Sequence, residues 1–298
     1  MTVSGINPLN CGIPPANITR LDLKNCWDND ELTNAEFATF LNSAAPTLRH
    51  LLLEGVVVNF MIGNIPSLKI ELSALVSLEL NPHNHSWDDD EIGFAEGIWS
   101  FIRTPNLEDL FLQNMPDEDL RETLWVFEEQ ADEGRSFEIK TLCMDHVRMQ
   151  NYAIPNYDET DLGISVEDFM TSVPNVETLK LSGCSVALVL RFILEADRKN
   201  GSPDLNTLWP NLRCLVVMHP QADLLRDVVL SREAVGHPIS ELEIQTDLYK
   251  EGFPVDISEW IRHRVPIFST SYVHKKDVVS SFSHHLNKHN LLNVCLAH

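Results

Sequence analysis

VETLKLSGC, residues Val176–Cys184, places apolar side chains at its first, fourth and sixth positions and a cysteine at its ninth. Polar and apolar residues alternate around the central leucine. Successive side chains of an extended chain point to opposite sides, so the segment reads as a short strand with one buried face. The phrase recurs in Ile18–Cys26 (ITRLDLKNC), Leu48–Val56 (LRHLLLEGV), Leu75–His83 (LVSLELNPH) and Leu107–Met115 (LEDLFLQNM). It continues in Ile139–Val147 (IKTLCMDHV), Leu212–Pro220 (LRCLVVMHP) and Ile239–Asp247 (ISELEIQTD). The fourth position is leucine every time: Leu21, Leu51, Leu78, Leu110, Leu142, Leu179, Leu215 and Leu242, spaced 27 to 37 residues apart.

Several of the intervals between these phrases carry apolar residues at helical spacing: Leu32, Phe37, Phe40 and Leu41; Ile92, Ile98, Trp99 and Ile102; Leu120, Leu124 and Phe127; Leu188, Phe192 and Ile193; Leu224, Leu225, Val228 and Val229. Strand, helix, strand at this period predicts a parallel sheet. Pro46, Pro105, Pro174, Pro210 and Pro238 stand just ahead of five of the strands, where a fixed φ and a missing N–H end the preceding helix.

Composition narrows the classes of function. The 298 residues include 44 acidic and 22 basic side chains, a formal charge of −22. Nucleic-acid binding draws its affinity from Lys and Arg that displace counterions, so this balance argues against it, and against an anionic membrane surface. With 44% hydrophobic residues the chain can bury a sizeable core. No apolar run approaches the roughly 20 residues a membrane helix needs, and Met1–Gly12 lacks the pattern of a signal peptide. Cys11, Cys26, Cys143, Cys184, Cys214 and Cys295 form no CxxC pair, which suits reduced thiols. A cytoplasmic or nuclear protein is the expectation.

Apolar residues at positions 1, 4 and 6 with Asn or Cys at 9 form the leucine-rich-repeat pattern, matched fully by Ile18, Leu21, Leu23, Cys26 and by Val176, Leu179, Leu181, Cys184. The expected fold is an α/β leucine-rich-repeat solenoid of about eight irregular repeats, a curved parallel sheet with helices on its convex side. Residues 1–17 are expected to cap its first repeat, 18–247 to form the solenoid, and 248–298 to cap its end, with Trp260, Ile261, Val265, Ile267 and Phe268 as apolar material.

Six phrases carry a closer likeness: APTLRHLLLEGV (45–56), ALVSLEL (74–80), IRTPNLEDLFLQNM (102–115), SVPNVETLKLSGC (172–184), LWPNLRCLVV (208–217) and VVLSREAVGHPISELEI (228–244). Over roughly residues 18–250 the chain resembles the leucine-rich-repeat region of fungal F-box proteins. That resemblance implies the substrate-recognition part of a receptor for a cullin-RING ubiquitin ligase. The F-box motif itself, which docks the ligase adaptor, is not in this sequence, so an adaptor is expected as a partner only if an F-box lies outside it. A ligase-independent binding scaffold or inhibitor of the same fold is the alternative.

No phosphate-cradling, nucleophile-elbow or HExxH motif occurs, so no catalytic, cofactor or metal residue is assigned and no enzyme is expected. Asp88, Asp89, Asp90 and Glu91, beside His83, His85 and Trp87, read as the solvated start of a helix. Asp28, Asp30 and Glu31 and also Asp117, Glu118 and Asp119 read the same way. His284, His285, His289 and His298 read as part of a capping surface helix rather than a zinc site.

Positions 5 and 7 should project from the concave face. Leu52, Phe111, Val216 and Met218 are then apolar anchors for a protein partner, Phe111 foremost, unless a loop or the C-terminal tail covers them. Glu54, Glu79, Asp145 and Glu243, with Gln113, make that face acidic and suited to a basic partner. Cys143 falls at a position facing the surface.

Overall fold

Alternation within each leucine phrase has the consequence it implies: all eight phrases carry a strand. In this computed structural model, which describes residues 2–4, 15–24, 32–55, 58, 69–82, 93–132, 137–147, 166–183, 185–199, 208–247 and 253–273, the chain begins with β1 (Thr2–Ser4), β2 (Arg20–Lys24), α1 (Asn34–Ala44), β3 (His50–Glu54), β4 (Ile70–Glu71) and β5 (Ser77–Asn81). There follow α2 (Phe94–Phe101), β6 (Ile102–Arg103), β7 (Asp109–Gln113), α3 (Asp117–Asp132), β8 (Thr141–Asp145), α4 (Val166–Ser172) and β9 (Thr178–Ser182). The last elements are α5 (Ser185–Lys199), β10 (Cys214–Met218), α6 (Ala222–Ala234), β11 (Glu241–Asp247), α7 (Val255–Arg262) and β12 (Ile267–Val273). Ten strands form one sheet in the order β1-β2-β3-β5-β7-β8-β9-β10-β11-β12, all parallel, while β4 and β6 pair separately.

Register follows the repeat. Leu21 pairs with Leu51, Leu51 with Leu78, and so on through Leu110, Leu142, Leu179 and Leu215 to Leu242, then Phe268. Every leucine in this row is at most 2% exposed. A one-residue slip would turn the whole row to the other face, which is why burial specifies the pairing so strongly.

The same backbone device opens each rung. The N–H groups of Arg49 and His50 both donate to the Thr19 carbonyl, those of Val76 and Ser77 to Arg49, those of Glu108 and Asp109 to Val76, and the pattern continues to Ser240 and Glu241 on Arg213. In five of the rungs the chain leaves the far end through a left-handed residue at position 8: Gly55, Asn114, His146, Gly183 and His219 have φ of 71°, 50°, 53°, 76° and 51°. These are residue types that enter this region most readily. At Gly183 glycine is required sterically as well, since a Cβ there would lie 2.9 Å from the His146 Cα.

Positions 1, 4 and 6 of the rungs and the inner faces of the helices share one hydrophobic core. Each fully buried leucine contributes about 2 kcal/mol of transfer free energy. Aromatic rings fill the middle: Trp99 meets Phe127 edge-on at 6.0 Å, and Phe127 lies 4.4 Å from Phe137. α1 begins with a capping box in which Thr33 Oγ1 accepts from the Glu36 N–H and Glu36 Oε2 accepts from the Thr33 N–H.

The sheet extends one strand beyond the leucine phrases at each end, with β1 inside the expected N-terminal cap and β12 inside the expected C-terminal one. Three other expectations need correction. Of the cap residues, Ile261 and Val265 are buried and Trp260 and Phe268 half-buried, but Ile267 is 59% exposed on the outer strand. Ile102 belongs to β6 rather than to a helix. Two helices, α4 and α7, lie outside the intervals in which helical spacing is expected. Residues 274–298, Ile92, Cys11, Cys26, Cys184, the acidic runs Asp28–Glu31 and Asp88–Glu91, and His83, His85 and Trp87 lie outside the described residues.

The remaining acidic run occupies the first turn of α3, as expected of acids at a helix start, yet Asp119 has a more particular task. α2 starts at Gly93 without a capping side chain, and the buried Asp119 Oδ1 accepts from the Ala95 N–H at 2.8 Å instead. Burial pushes the Asp119 carboxyl up to about 6 in spite of that bond, with Glu118 and Glu122 adding to the rise. A carboxyl raised in the folded state adds stability at pH below its unfolded value and loses it as pH climbs through about 6. Asp119→Asn keeps the acceptor for Ala95 and removes the ionisation. Its stability relative to the parent chain is therefore expected to rise from pH 4 to pH 8 by up to about 3 kcal/mol. Urea unfolding across that range checks this, and a difference that is flat with pH rejects it.

Candidate functional site

Opposite the core, positions 3, 5 and 7 of successive rungs stand in three rows. Position 5 reads Asp22, Leu52, Glu79, Phe111, Cys143, Lys180, Val216, Glu243 and Ser269, each paired in register with its neighbour on the adjoining strand. Position 7 reads Lys24, Glu54, Asn81, Gln113, Asp145, Ser182, Met218, Gln245 and Ser271. Thus Leu52, Glu54, Glu79, Phe111, Gln113, Asp145, Val216, Met218 and Glu243 all share one face of the sheet. Position 3 adds residues that the sequence reading passed over: Arg20, His50, Ser77, Asp109, Thr141, Thr178, Cys214 and Glu241. Period-two alternation was the signal for them, since position 3 has the same parity as 5 and 7.

Polar side chains along this face are tied to one another both along and across the strands. Lys24 Nζ donates to Glu54 Oε2 at 2.6 Å, and Arg20 Nε to Asp22 Oδ1 at 3.0 Å. Gln113 Nε2 donates to Glu79 Oε1 at 2.7 Å, while Asn114 Nδ2 donates to Asn81 Oδ1 at 3.0 Å. Ser182 Oγ donates to Asp145 Oδ1, and His146 Nδ1 stands 2.6 Å from the same oxygen. Glu243 Oε1 accepts from Gln245 Nε2 at 3.1 Å and from Ser271 Oγ at 2.7 Å. Such a network holds the carboxylates in place on rigid strands.

The apolar members are not exposed, which corrects the expectation of open anchors. Phe111 is 2% exposed, Leu52 5%, Val216 6% and Met218 7%, and Cys143 is fully buried rather than facing solvent. Phe111, Cys143, Val216 and Met218 form a second hydrophobic cluster with Cys214 packed against it, separate from the main core. Part of the reason is lateral. Strands about 4.8 Å apart bring neighbouring side chains into contact. Lys180, two strands from Phe111, holds its ammonium 6.0 Å from the centre of that ring, with Cys143 on the strand between. Parity fixes the side on which a residue lies but not what lies above it.

Burial sets the chemistry of the titratable groups here. It drives the Cys143 thiol far above the ordinary thiol range, and pushes Cys214 up to about 11 with help from Glu241. Both stay protonated and unreactive near neutral pH. Burial, followed by the charge of Arg20, lowers His50, so its ring is neutral at pH 7. Asp109 is raised by burial against the pull of its hydrogen bond from Thr141. Among the described residues the face carries Asp22, Glu54, Glu79, Asp109, Asp145, Glu241 and Glu243 against Arg20, Lys24 and Lys180.

Among the described residues no group of three or more His, Cys, Asp or Glu side chains is arranged to hold a metal, and no helix is long and apolar enough to cross a membrane. No protein-family model and no curated protein sequence matches the chain.

Proposed function

We propose that the protein is a recognition module of leucine-rich-repeat type, in which the acidic face of the sheet holds a basic protein partner. The observation that carries this reading is the set of three in-register rows of side chains, acidic overall, on strands that a buried leucine row keeps rigid. A partner that pairs with fixed carboxylates does not have to order them first, which lowers the entropic penalty of association. The inert thiols of Cys143 and Cys214 give nothing to an enzymatic reading. In the chain's likeness to fungal F-box proteins, this face has the place of the substrate-binding surface of a cullin-RING ligase receptor. The alternative is a scaffold or inhibitor that works without the ligase.

Because Phe111 is buried, the face is best tested at half-buried carboxylates. Full-length chain and a Glu54→Lys/Glu243→Lys variant serve as baits in cell extract, with captured proteins quantified by mass spectrometry. Basic partners are expected to fall at least about tenfold with the variant, and again when salt is raised from about 0.05 to 0.5 M, because exposed charges are screened within a few ångströms there. Equal capture by both baits removes the face from the function. Cullin and adaptor subunits among the captured proteins favour the ligase role, and their absence alongside other face-dependent partners favours the scaffold.

A further inference from the structure

Among the described residues the sheet face carries three cations, and two of them have carboxylate partners. Lys24 pairs with Glu54, and Arg20 with Asp22. Lys180, at position 5 of β9, is only 8% exposed, yet it forms no ion pair and donates no hydrogen bond. Its ammonium stands 6.0 Å from the centre of the Phe111 ring instead. Asp109 feels the charge of Lys180, but the side-chain hydrogen bond to that carboxyl comes from Thr141. An ammonium withdrawn from water costs free energy, which an aromatic ring offsets only in part.

A second polar group on the face also lacks its counterpart. Gln245, at position 7 of β11, is 5% exposed. Its Nε2 donates to Glu243 Oε1, and because a carboxylate accepts, that bond fixes which end of the amide is which. The other end, Oε1, is buried without a donor. Lys180 and Gln245 stand on either side of β10, where Val216 pairs in register with Lys180 and Met218 with Gln245. Two strand spacings and a two-residue offset put their backbones about 12 Å apart, across Val216 and Met218.

We propose that the partner segment held by this face carries one acidic side chain among its basic ones, seated on Lys180, and a hydrogen-bond donor on Gln245, with apolar atoms over Val216 and Met218 between them. This rests on the reading of the face as the site of a basic partner and adds a rule of specificity within it. A uniformly basic segment brings a like charge to Lys180 and is rejected there. An acid turns that repulsion into an ion pair. Folding has already withdrawn the ammonium from water, so only the partner's carboxylate has water to lose on binding. An extended segment advances about 3.3 Å per residue, which places acid and donor roughly three to five residues apart.

Arrayed short peptides rich in Lys and Arg, with a single Glu moved through every position, test this against the full chain and its Lys180→Met and Lys180→Glu variants. The parent chain is expected to bind one placement of Glu at least about tenfold better than the all-basic peptide. Lys180→Met should erase that preference while still binding basic peptides, and Lys180→Glu should reverse it, with the thermal transition retained in both. The preferred Glu should also need a donor side chain roughly three to five residues away, a dependence that Gln245→Met removes. Basic peptides bound with no preferred placement of Glu overturn the proposal and leave the acidic face as the partner site. A Glu preference that persists in Lys180→Met, or a donor dependence that is absent or persists in Gln245→Met, overturns it too. If the parent chain binds none of the peptides, the basic-partner reading falls and the proposal falls with it.

Discussion

Arg232→Ala is expected to lower the free energy of unfolding by about 3–5 kcal/mol, the usual loss when one member of a buried ion pair is removed. Arg232 on α6 is fully buried, with Nη1 3.3 Å from Asp197 Oδ1 of α5, itself fully buried. Its guanidinium also donates to the backbone carbonyls of Leu208 at 2.9 Å and Trp209 at 2.8 Å. Trp209 holds a left-handed backbone with φ of 49°, and its indole N–H donates to the Met170 and Val173 carbonyls. One side chain therefore joins α5, α6 and the turn before β10. Burial raises the Asp197 carboxyl and opposes the Arg232 charge, and the attraction between the two pulls each back toward its ionised form. With Arg232 gone, Asp197 is a buried carboxylate without its cation and two carbonyls lose their donor. Urea unfolding with an unchanged m-value would measure the loss. Arg232→Met with Asp197→Leu should recover much of it, since apolar replacement of both partners leaves nothing polar stranded. A loss below about 1 kcal/mol for Arg232→Ala would show that the pair does not hold these elements together.

The second large effect is at the centre of the leucine row. Leu142 on β8 has no exposed surface and stands in register between Leu110 and Leu179. Leu142→Ala is expected to destabilise the protein by about 2–5 kcal/mol, combining the lost transfer free energy with the cavity that neighbouring strands cannot close. Leu142→Met conserves volume and should lose less than about 1.5 kcal/mol. Guanidinium unfolding of both variants tests the role of the row. Equal losses would mean that shape at this position matters more than volume.

Legibility differed among elements for identifiable reasons. The eight leucines announced their strands because a buried row repeats one residue type at one spacing. β12 carries Phe268 in the leucine row and Thr270 two residues on, so a search for leucine passes over it even though Val265 sits at the first position. β1 has three residues, too few for any period, and is recognised only by its pairing with β2. Arg232 was within reach: it follows Leu225, Val228 and Val229 at helical spacing and so falls on the buried side of α6. A charge on an apolar stripe signals a buried partner, but does not name Asp197. The site divides in the same way. Which residues share the face was readable from parity, while the burial of Phe111 was not.

The boundary between the two kinds of knowledge is the range of the interaction. Strand parity and helix spacing depend on neighbours within a few residues, and repetition down the chain lets one rung predict the next. The Asp119 cap on α2 joins residues 24 apart and the Arg232–Asp197 pair joins residues 35 apart. Such contacts, and the dryness of the face around Phe111, exist only once the rungs are stacked, because each depends on which group the folded chain brings to a given point in space.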